Sequence, residues 1–272
     1  MVPISIPGMS LANKDLESEI NATLRGLPLG GFRFFSSTGS SNDQALAWAA
    51  SGARDLSLVV ADEQTNGRGR AGRAWFTPPG AALAFSLVLR PRPEERLFVG
   101  RFAGLGALAL ALTLAEHAVG AEVKWPNDVL IGRKKVAGVL VETVWMGDEI
   151  DSLVLGMGVN IRPESIPPAE KLTFPATCLQ AEGLSGLPRF ELLRDLLRHL
   201  IALRADLPGQ EFLDRWENLL AYRGENVQIW QGAALPLTVR LVGLEADGSL
   251  RVLTPSGDAR AVHFGEVHLR PV

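Results

Sequence analysis

Cysteine is almost absent from this chain: Cys178 is its only cysteine in 272 residues. A single cysteine cannot form an intrachain disulfide and offers no thiol cluster to a metal ion. The four histidines show no H-x-x-x-H or H-E-x-x-H spacing; they are His117, His199, His263 and His268. These absences argue against a disulfide-stapled fold and against a zinc or non-haem iron site.

An excess of positive charge and a long apolar run are also missing. The net charge of −3 lacks the basic excess that is typical of nucleic-acid binders, so no DNA partner is expected. The N-terminus shows no basic segment followed by an apolar one, so no secretory signal is predicted. The most apolar stretch, residues 102–115, is shorter than the roughly 20 residues that span a bilayer. We therefore expect a buried helix there, no membrane partner, and a cytoplasmic protein.

The length of the chain suits one large domain followed by a small one. Residues 1–30 predict an N-terminal extension with a short amphipathic helix, and residues 31–221 predict a large domain containing both helices and strands. Three apolar strands between residues 121 and 161 follow one another without helices, which favours a hairpin or meander. Residues 222–272 hold short alternating runs separated by Gly and Asp turns, typical of a small β-barrel.

The stretch VVADEQTNGRGRAGRAWFTPPG, residues 59–80, contains a G-x-G-x-x-G pattern at Gly67, Gly69 and Gly72. A dinucleotide-binding turn must open directly into a helix, whose N-terminal N–H groups hold the pyrophosphate. Here two prolines and a glycine follow within ten residues and leave no room for such a helix. The pattern therefore does not favour a nicotinamide enzyme, and no G-K-[ST] sequence indicates a Walker loop.

The same stretch is strongly cationic. Arg68, Arg70 and Arg73 provide planar, permanently charged groups that suit carboxylate and phosphate oxygens. The glycines give the backbone freedom to approach a ligand closely. These features predict an anion-binding loop, while a solvated basic loop without a ligand stays open because charge runs on loops are common.

Three further segments carry polar groups next to apolar strands. VKWPNDVL places Lys124, Asn127 and Asp128 at a strand end, RKKVAGVLVE places Lys135 at the start of a strand, and LGMGVN ends in Asn160. Each has a simple structural explanation, since PND is a common turn, paired lysines usually face solvent, and GVN can terminate a strand. Taken singly, these segments favour the structural explanation.

Taken together, GRGRAGRAW, KWPND, KVAG and GMGVN closely resemble, in content and order, the motifs of the biotin protein ligases. Upstream, TGSSNDQA resembles the Ser-Thr-Asn biotin segment of the family, with Ser41 in place of the usual threonine. Ala71 stands where the family often carries arginine. The resemblance runs from about residue 31 to the C-terminus. It implies an α+β fold like that of class II aminoacyl-tRNA synthetases, with a mixed, mostly antiparallel central sheet packed with helices, and a C-terminal SH3-like barrel.

The resemblance implies an ATP-dependent biotin protein ligase, with residues 31–221 as the catalytic domain that binds biotin and ATP. Such enzymes join biotin and ATP, with Mg²⁺, into biotinyl-5′-AMP, and then transfer biotin to a lysine of a biotin carboxyl carrier protein or domain of a biotin-dependent carboxylase. No Ser-His-Asp set or G-x-S-x-G elbow is evident, so no covalent enzyme intermediate is indicated. Fixed cations and positioning can perform this chemistry without a nucleophilic side chain.

The resemblance also assigns roles to individual residues. Those expected to contact biotin are Ser40, Ser41, Asn42, Gln64, Arg68, Gly69, Arg70 and Lys135. Those expected to contact the nucleotide are Arg68, Arg70, Arg73, Trp75, Lys124, Asn127, Asn160, Glu266 and Arg270. Lys135 and Arg70 are expected to be catalytic, with Lys135 bridging the biotin carboxyl and the α-phosphate. Asp128 is expected to bind Mg²⁺, which commonly uses one or two carboxylates plus phosphate oxygens.

Three alternatives remain beside this hypothesis. A lipoate or octanoate ligase or transferase shares the central fold, but such proteins lack KWPND and the GRGRAGR segment at residues 67–73, called the Gly/Arg loop below, as written here. A non-enzymatic binding module would bind its partner without ATP. A DNA-binding repressor is disfavoured by the charge and because only about thirty residues precede the catalytic region, which predicts a monofunctional type without an N-terminal DNA-binding domain. The family includes monomers and dimers, so a homodimer stays open.

Overall fold

The computed structural model describes residues 11–231, 236–263 and 267–271. The helices in these ranges are α1 (Leu11–Thr23), α2 (Ser41–Ala50), α3 (Arg101–Glu116), α4 (Arg189–Asp206) and α5 (Gln210–Asn218). The strands up to residue 160 are β1 (Gly31–Thr38), β2 (Ser57–Gln64), β3 (Ala82–Leu89), β4 (Glu122–Lys124), β5 (Asp128–Ile131), β6 (Lys134–Met146) and β7 (Glu149–Asn160). The later strands are β8 (Asn226–Gln231), β9 (Leu237–Leu244), β10 (Leu250–Leu253), β11 (Ala259–Val262) and β12 (Val267–Pro271).

The first seven strands form one sheet in the order β1-β2-β3-β7-β6-β5-β4. β1 and β2 are parallel and are connected through α2, as a parallel pair requires a crossover. The other neighbouring strands are antiparallel. The expected α+β class with a mixed, mostly antiparallel central sheet is therefore confirmed.

Helices cover both faces of this sheet, which explains why β3 is buried along its whole length. On one face, α2 packs against a small cluster that includes Val59, Val88 and Val154. On the other face, α3 contacts β4 to β7 and packs against α4. Alternate residues of the same strands thus face two different cores. As a result, a side chain of β3, β6 or β7 that faces α2 lies in a narrow space between helix and sheet.

The apolar stretch 102–115 lies within α3, as a buried helix. Among the described helices, none combines the length and apolar character needed to cross a membrane.

The last five strands form a separate antiparallel sheet in the order β11-β10-β9-β8-β12. Its β9–β10 turn rests against the larger domain. The indole N–H of Trp125 donates to the carbonyl of Gly248 at 3.0 Å, and the buried guanidinium of Arg101 donates to the carbonyl of Ala246. An all-β C-terminal unit was expected, while its closure into an SH3-like barrel and the boundaries at residues 31 and 222 stay predictions.

Candidate functional site

The Gly/Arg loop is a narrow loop that projects from the end of β2. Isolated β-bridges join Gln64 to Thr77 and Arg68 to Ala74, and a short 3-10 turn at Arg70–Gly72 reverses the chain. No α-helix follows the glycines within this described segment. The geometry therefore excludes a dinucleotide-binding turn, in agreement with the sequence.

A polar network lies at the start of α2. The backbone N–H and the hydroxyl of Ser41 both donate to Gln64 Oε1, at 2.7 and 3.0 Å. Gln64 Nε2 in turn donates to Thr77 Oγ1 at 3.0 Å. Ser40 is the N-cap residue of α2, yet its buried hydroxyl makes no capping hydrogen bond to the helix. The network thus joins α2, β2 and the far end of the Gly/Arg loop.

Ser86 on β3 extends this network, but its hydroxyl cannot donate to both of its neighbours. Its hydroxyl lies 2.8 Å from Ser41 Oγ and 2.5 Å from Asn42 Oδ1. A hydroxyl has one proton, and the proton of Ser41 already goes to Gln64. Ser86 can therefore donate to only one of its two neighbours at a time, and the oxygen of the other keeps a lone pair that can accept a further hydrogen bond. An N–H group of a ligand would suit that oxygen.

A second cluster is built around one buried carboxylate. Lys135 Nζ lies 2.6 Å from Asp128 Oδ1, and Lys124 Nζ lies 3.6 Å from Asp128 Oδ2. Arg70 reaches in from the Gly/Arg loop, with one guanidinium nitrogen 3.4 Å from Asn127 Oδ1. Three separate segments therefore bring cations to a single anion.

Burial and charge act in opposite directions in this cluster. Burial alone would raise the pKa of Asp128, but Lys135, Lys124 and Arg73 together hold that pKa below its ordinary value. Burial lowers the pKa of Lys124 and of Arg70, and the attraction of Asp128 opposes the shift. The cluster holds more positive than negative charge in a partly dry setting, which favours the binding of anions.

The strands explain why these side chains meet. Lys124 at the end of β4 pairs with Asp128 at the start of β5, and Lys135 lies opposite Leu130 in the β5–β6 hairpin. Asn127 in the connecting turn is fixed to β6. Its backbone carbonyl accepts from Val139 N at 2.9 Å, and its side-chain Nδ2 donates to Val139 O at 2.6 Å. The turn KWPND is therefore joined to β6 at the residue that follows KVAG.

Trp75 forms a lid over the glycines of β6 and β7. A Cβ atom on Gly158 would overlap the indole, and a Cβ atom on Gly138 would lie 3.4 Å from it. Lys135 Nζ lies 5.3 Å from the centre of a Trp75 ring, within reach of a cation–π contact. The Trp75 N–H is buried and has no hydrogen-bond partner among the described residues.

Arg68 is already occupied in this structure. Its guanidinium makes two hydrogen bonds to Glu142, at 2.8 and 2.7 Å, and it also pairs with Asp43 at 2.7 Å. Arg68 therefore ties the Gly/Arg loop to β6 and α2, and its charge is balanced by two carboxylates.

The expected residues fall into these two groups, with some exceptions. Gly69 lies in the loop backbone and donates to Arg73 O at 2.7 Å, and the Arg73 side chain is exposed. Asn160 is buried at the end of β7, where its Nδ2 donates to Thr177 O at 3.0 Å. Glu266 lies outside the described residues, and only the backbone of Arg270, in β12, is described. Thr77, Ser86 and Glu142 belong to the site but were not predicted from the sequence, although Glu142 is visible there as an acid within the apolar KVAGVLVE.

Magnesium does not fit Asp128 well as a direct ligand in this arrangement. Both carboxylate oxygens face ammonium groups of lysine residues. In the part of the chain that the structure describes, no three His, Cys, Asp or Glu residues are grouped to hold a metal. The expected role of Asp128 as a magnesium ligand stays a prediction.

Comparison with known proteins gives the same family as the motifs. The model of the Biotin/lipoate A/B protein ligase family matches residues 33–160. The biotin–[acetyl-CoA-carboxylase] ligase of Paracoccus denitrificans is 42% identical over 241 residues, which cover 84% of this chain and 98% of that protein. The chain belongs to the biotin protein ligase family. The resemblance noted in the sequence is thereby confirmed.

Two further relatives support the assignment to the biotin protein ligase family. The biotin protein ligase of Aquifex aeolicus, solved in complex with biotin and ATP, superposes with a TM-score of 0.75 at 30% identity, covering 89% of this chain and 99% of that one. The bifunctional ligase/repressor BirA of Bacillus spizizenii is 35% identical over 184 residues. That match covers 66% of this chain and 56% of the relative, so the chain spans about half the length of this bifunctional protein.

Proposed function

We propose that this chain is an ATP-dependent biotin protein ligase that forms biotinyl-5′-AMP and transfers biotin to a lysine of a biotin carboxyl carrier protein. The observation that carries the proposal is the surplus of cations around Asp128, formed by Lys135, Lys124 and Arg70. Joining a carboxylate to a triphosphate brings two anions together, and fixed cations reduce their repulsion. We also propose that the protein acts in the cytoplasm, with Mg²⁺ accompanying ATP.

The polar network at α2 suits the ureido group of biotin. A urea presents two N–H donors and one carbonyl acceptor, and the network around Ser41, Asn42 and Ser86 has an acceptor to spare. The Ser40 hydroxyl, which does not cap α2, adds a further polar group at the same place. This network and the cationic cluster both lie where the Gly/Arg loop returns to the sheet.

In the first step, a carboxylate oxygen of biotin attacks the α-phosphorus of ATP, and the bond to pyrophosphate breaks. In this proposal Lys135 holds the carboxylate and the α-phosphate together, which is supported by the contact of its ammonium with Asp128 at 2.6 Å. Arg70 approaches from the loop side and neutralises charge on the phosphates. Since only positioning and charge are required, no residue of the chain becomes covalently attached.

In the second step, the neutral amine of the acceptor lysine attacks the acyl carbon of biotinyl-5′-AMP. An amide bond forms, AMP leaves with the electrons of the mixed anhydride bond, and the amine releases a proton. The Gly/Arg loop and Trp75 lie over β6 and β7 and are placed to shield the adenylate from water until the acceptor arrives.

The experiment that tests this function is pyrophosphate release with ATP and Mg²⁺, comparing biotin, lipoate and no acid, with a carrier domain added. We expect release that requires biotin, and biotin on the acceptor lysine by mass spectrometry. Release that requires lipoate would instead favour a lipoate ligase. It would overturn the assignment of the polar network at the start of α2 to biotin binding. If neither acid supports release, the proposed enzyme activity is wrong.

A further inference from the structure

One carboxylate, that of Glu142, holds two groups that are assigned to biotin binding. Its Oε1 and Oε2 accept from Arg68 at 2.8 and 2.7 Å, and Oε2 also accepts from Asn42 Nδ2 at 2.8 Å. Glu142 lies on β6, Arg68 on the Gly/Arg loop and Asn42 on α2. Its side chain is 26% exposed, so the contacts lie at the rim of the site rather than in bulk solvent.

The contact with Glu142 decides which way the amide of Asn42 points. Because a carboxylate only accepts, the NH₂ end of the amide must face Glu142 and the oxygen must face Ser86. Leu140 O lies 3.4 Å from the same Nδ2 and supports this orientation weakly. The oxygen of Asn42 therefore points toward the hydroxyl of Ser86. This is the side of the network where a ligand N–H would bind.

We propose that Glu142 is a positioning residue for biotin, which orients the amide of Asn42 and at the same time fastens the Gly/Arg loop through Arg68. The inference rests on the proposed function of the site. It assigns to Glu142 no contact with the reacting atoms. As a result, the position of the Gly/Arg loop and the orientation of the Asn42 amide depend on the same carboxylate.

Charge and positioning predict opposite effects of neutralising Glu142. If Glu142 acted only by balancing the charge of Arg68, Glu142→Gln would free that charge and tighten the binding of anionic substrates. If Glu142 orients Asn42, the same variant weakens biotin binding, because one end of a glutamine amide donates and the three hydrogen bonds that the carboxylate accepts from Arg68 and Asn42 cannot all be kept. The two roles can therefore be separated by the direction of the change.

Asp43 provides a matched control. Its side chain is 52% exposed and pairs with the same Arg68 guanidinium at 2.7 Å. Asp43→Asn and Glu142→Gln each remove one negative charge beside Arg68. A charge effect should appear in both variants, and an effect through Asn42 should appear only in Glu142→Gln.

The test measures biotin affinity without ATP by calorimetry, and KM for biotin, KM for ATP and kcat from biotin-dependent pyrophosphate release. For Glu142→Gln we expect the biotin Kd and KM to rise about tenfold or more, with KM for ATP within about twofold. Asp43→Asn should keep the biotin KM within about twofold. In the background of Asn42→Ala, Glu142→Gln should add little further loss, because its effect passes through the amide.

Three results would overturn the proposal. They are equal effects of Glu142→Gln and Asp43→Asn, an unchanged biotin KM in Glu142→Gln, and losses that simply add in the double variant with Asn42→Ala. If Glu142→Gln does not fold, as judged by its thermal transition, Glu142→Asp carries the test with the same expected loss, because its shorter side chain keeps the charge but not the reach. Absence of biotin-dependent release in the unaltered protein would instead overturn the proposed function, so the two failures are distinct.

Discussion

The backbone of Gly156 lies directly against the side-chain amide of Asn42, and a Cβ atom at Gly156 would overlap Asn42 Oδ1. Gly156 is the cross-strand partner of Ser86 on one side and of Leu140 on the other. The amide of Asn42 therefore enters the sheet at one of the two positions where β7 offers no side chain. The first glycine of GMG is explained by this close approach.

Gly156→Ala should displace Asn42 and weaken biotin binding. We expect KM for biotin to rise about tenfold or more and the free energy of unfolding to fall by about 1–3 kcal/mol, the usual cost of overpacking. Steady-state kinetics measures KM for biotin, and urea unfolding measures the free energy of unfolding. Gly120→Ala is the matched control, since a Cβ atom there has open space and should leave both quantities unchanged. An unchanged KM for biotin in Gly156→Ala would show that Asn42 does not bind biotin.

Gly158→Ala should act on the nucleotide through Trp75, because the new methyl group would overlap the indole. We expect KM for ATP to rise about tenfold, with biotin affinity without ATP within about twofold. The measurement is pyrophosphate release at varied ATP together with biotin calorimetry. In a Trp75→Ala background the added effect of Gly158→Ala should be small. Additive losses would show that Gly158 acts on something other than Trp75.

Much of the fold and part of the site could be predicted from the sequence. The Gly/Arg loop, KWPND and KVAG are local patterns, and the resemblance they carry predicted a mixed, mostly antiparallel sheet packed with helices. The strand β5, which begins at Asp128, was missed because a four-residue run after PND looks like the rest of a turn. A short strand of this kind is defined by its pairing with β4 and β6 and not by its own composition.

The partners of the predicted residues could not be read from the sequence. Ser86 lies 44 positions from Asn42, and Glu142 lies 100 positions away, so their contacts exist only after the sheet has formed. Likewise, three arginines in one loop look equivalent as letters, yet Arg68 is paired with two carboxylates and Arg70 reaches Asn127. Tertiary contacts, rather than residue type, separate the arginine that anchors the loop from the arginine that reaches Asn127.

Lys135→Ala should remove adenylate formation while the protein stays folded. The carboxylate of Asp128 keeps Lys124 as a partner, so the loss of Lys135 does not leave it isolated. We expect kcat for pyrophosphate release to fall by roughly 10²–10³-fold, the usual effect of deleting one group that stabilises developing charge. Lys134→Ala is the control, because that neighbouring ammonium pairs with Glu182. Near-normal turnover by Lys135→Ala would disprove the catalytic assignment.

Asp128 should make stability depend on pH in the acid range. Its pKa in the folded protein is lowered by Lys135 and Lys124 against the opposing effect of burial. A carboxyl group with a depressed folded pKa adds stability above its unfolded pKa and loses it as pH falls toward the folded value. We therefore expect the stability difference between the unaltered protein and Asp128→Asn to be largest near neutral pH and to shrink below about pH 4.

Urea unfolding at pH 7, 5, 4 and 3 measures this difference. Asp148→Asn is the control, since Asp148 is exposed at the β6–β7 turn. Its difference from the unaltered protein should stay near zero throughout. A difference for Asp128→Asn that does not change with pH would mean that the ion pairs with the two lysines do not lower its pKa.

Trp125→Phe should weaken the attachment of the C-terminal sheet and, with it, the active-site turn. The Trp125 N–H donates to Gly248 O at 3.0 Å in a buried setting, and Trp125 comes two residues before Asn127. The variant leaves that carbonyl without its donor and loses ring volume, so we expect a loss of about 2 kcal/mol or more in urea unfolding. Trp145→Phe is the control, because the Trp145 N–H donates to Thr143 Oγ1 on an exposed strand end and should contribute less than about 0.5 kcal/mol. If the buried contact also steadies the turn, Trp125→Phe lowers kcat for adenylate formation under conditions where it remains fully folded, whereas an unchanged kcat would limit the role of Trp125 to joining the two domains.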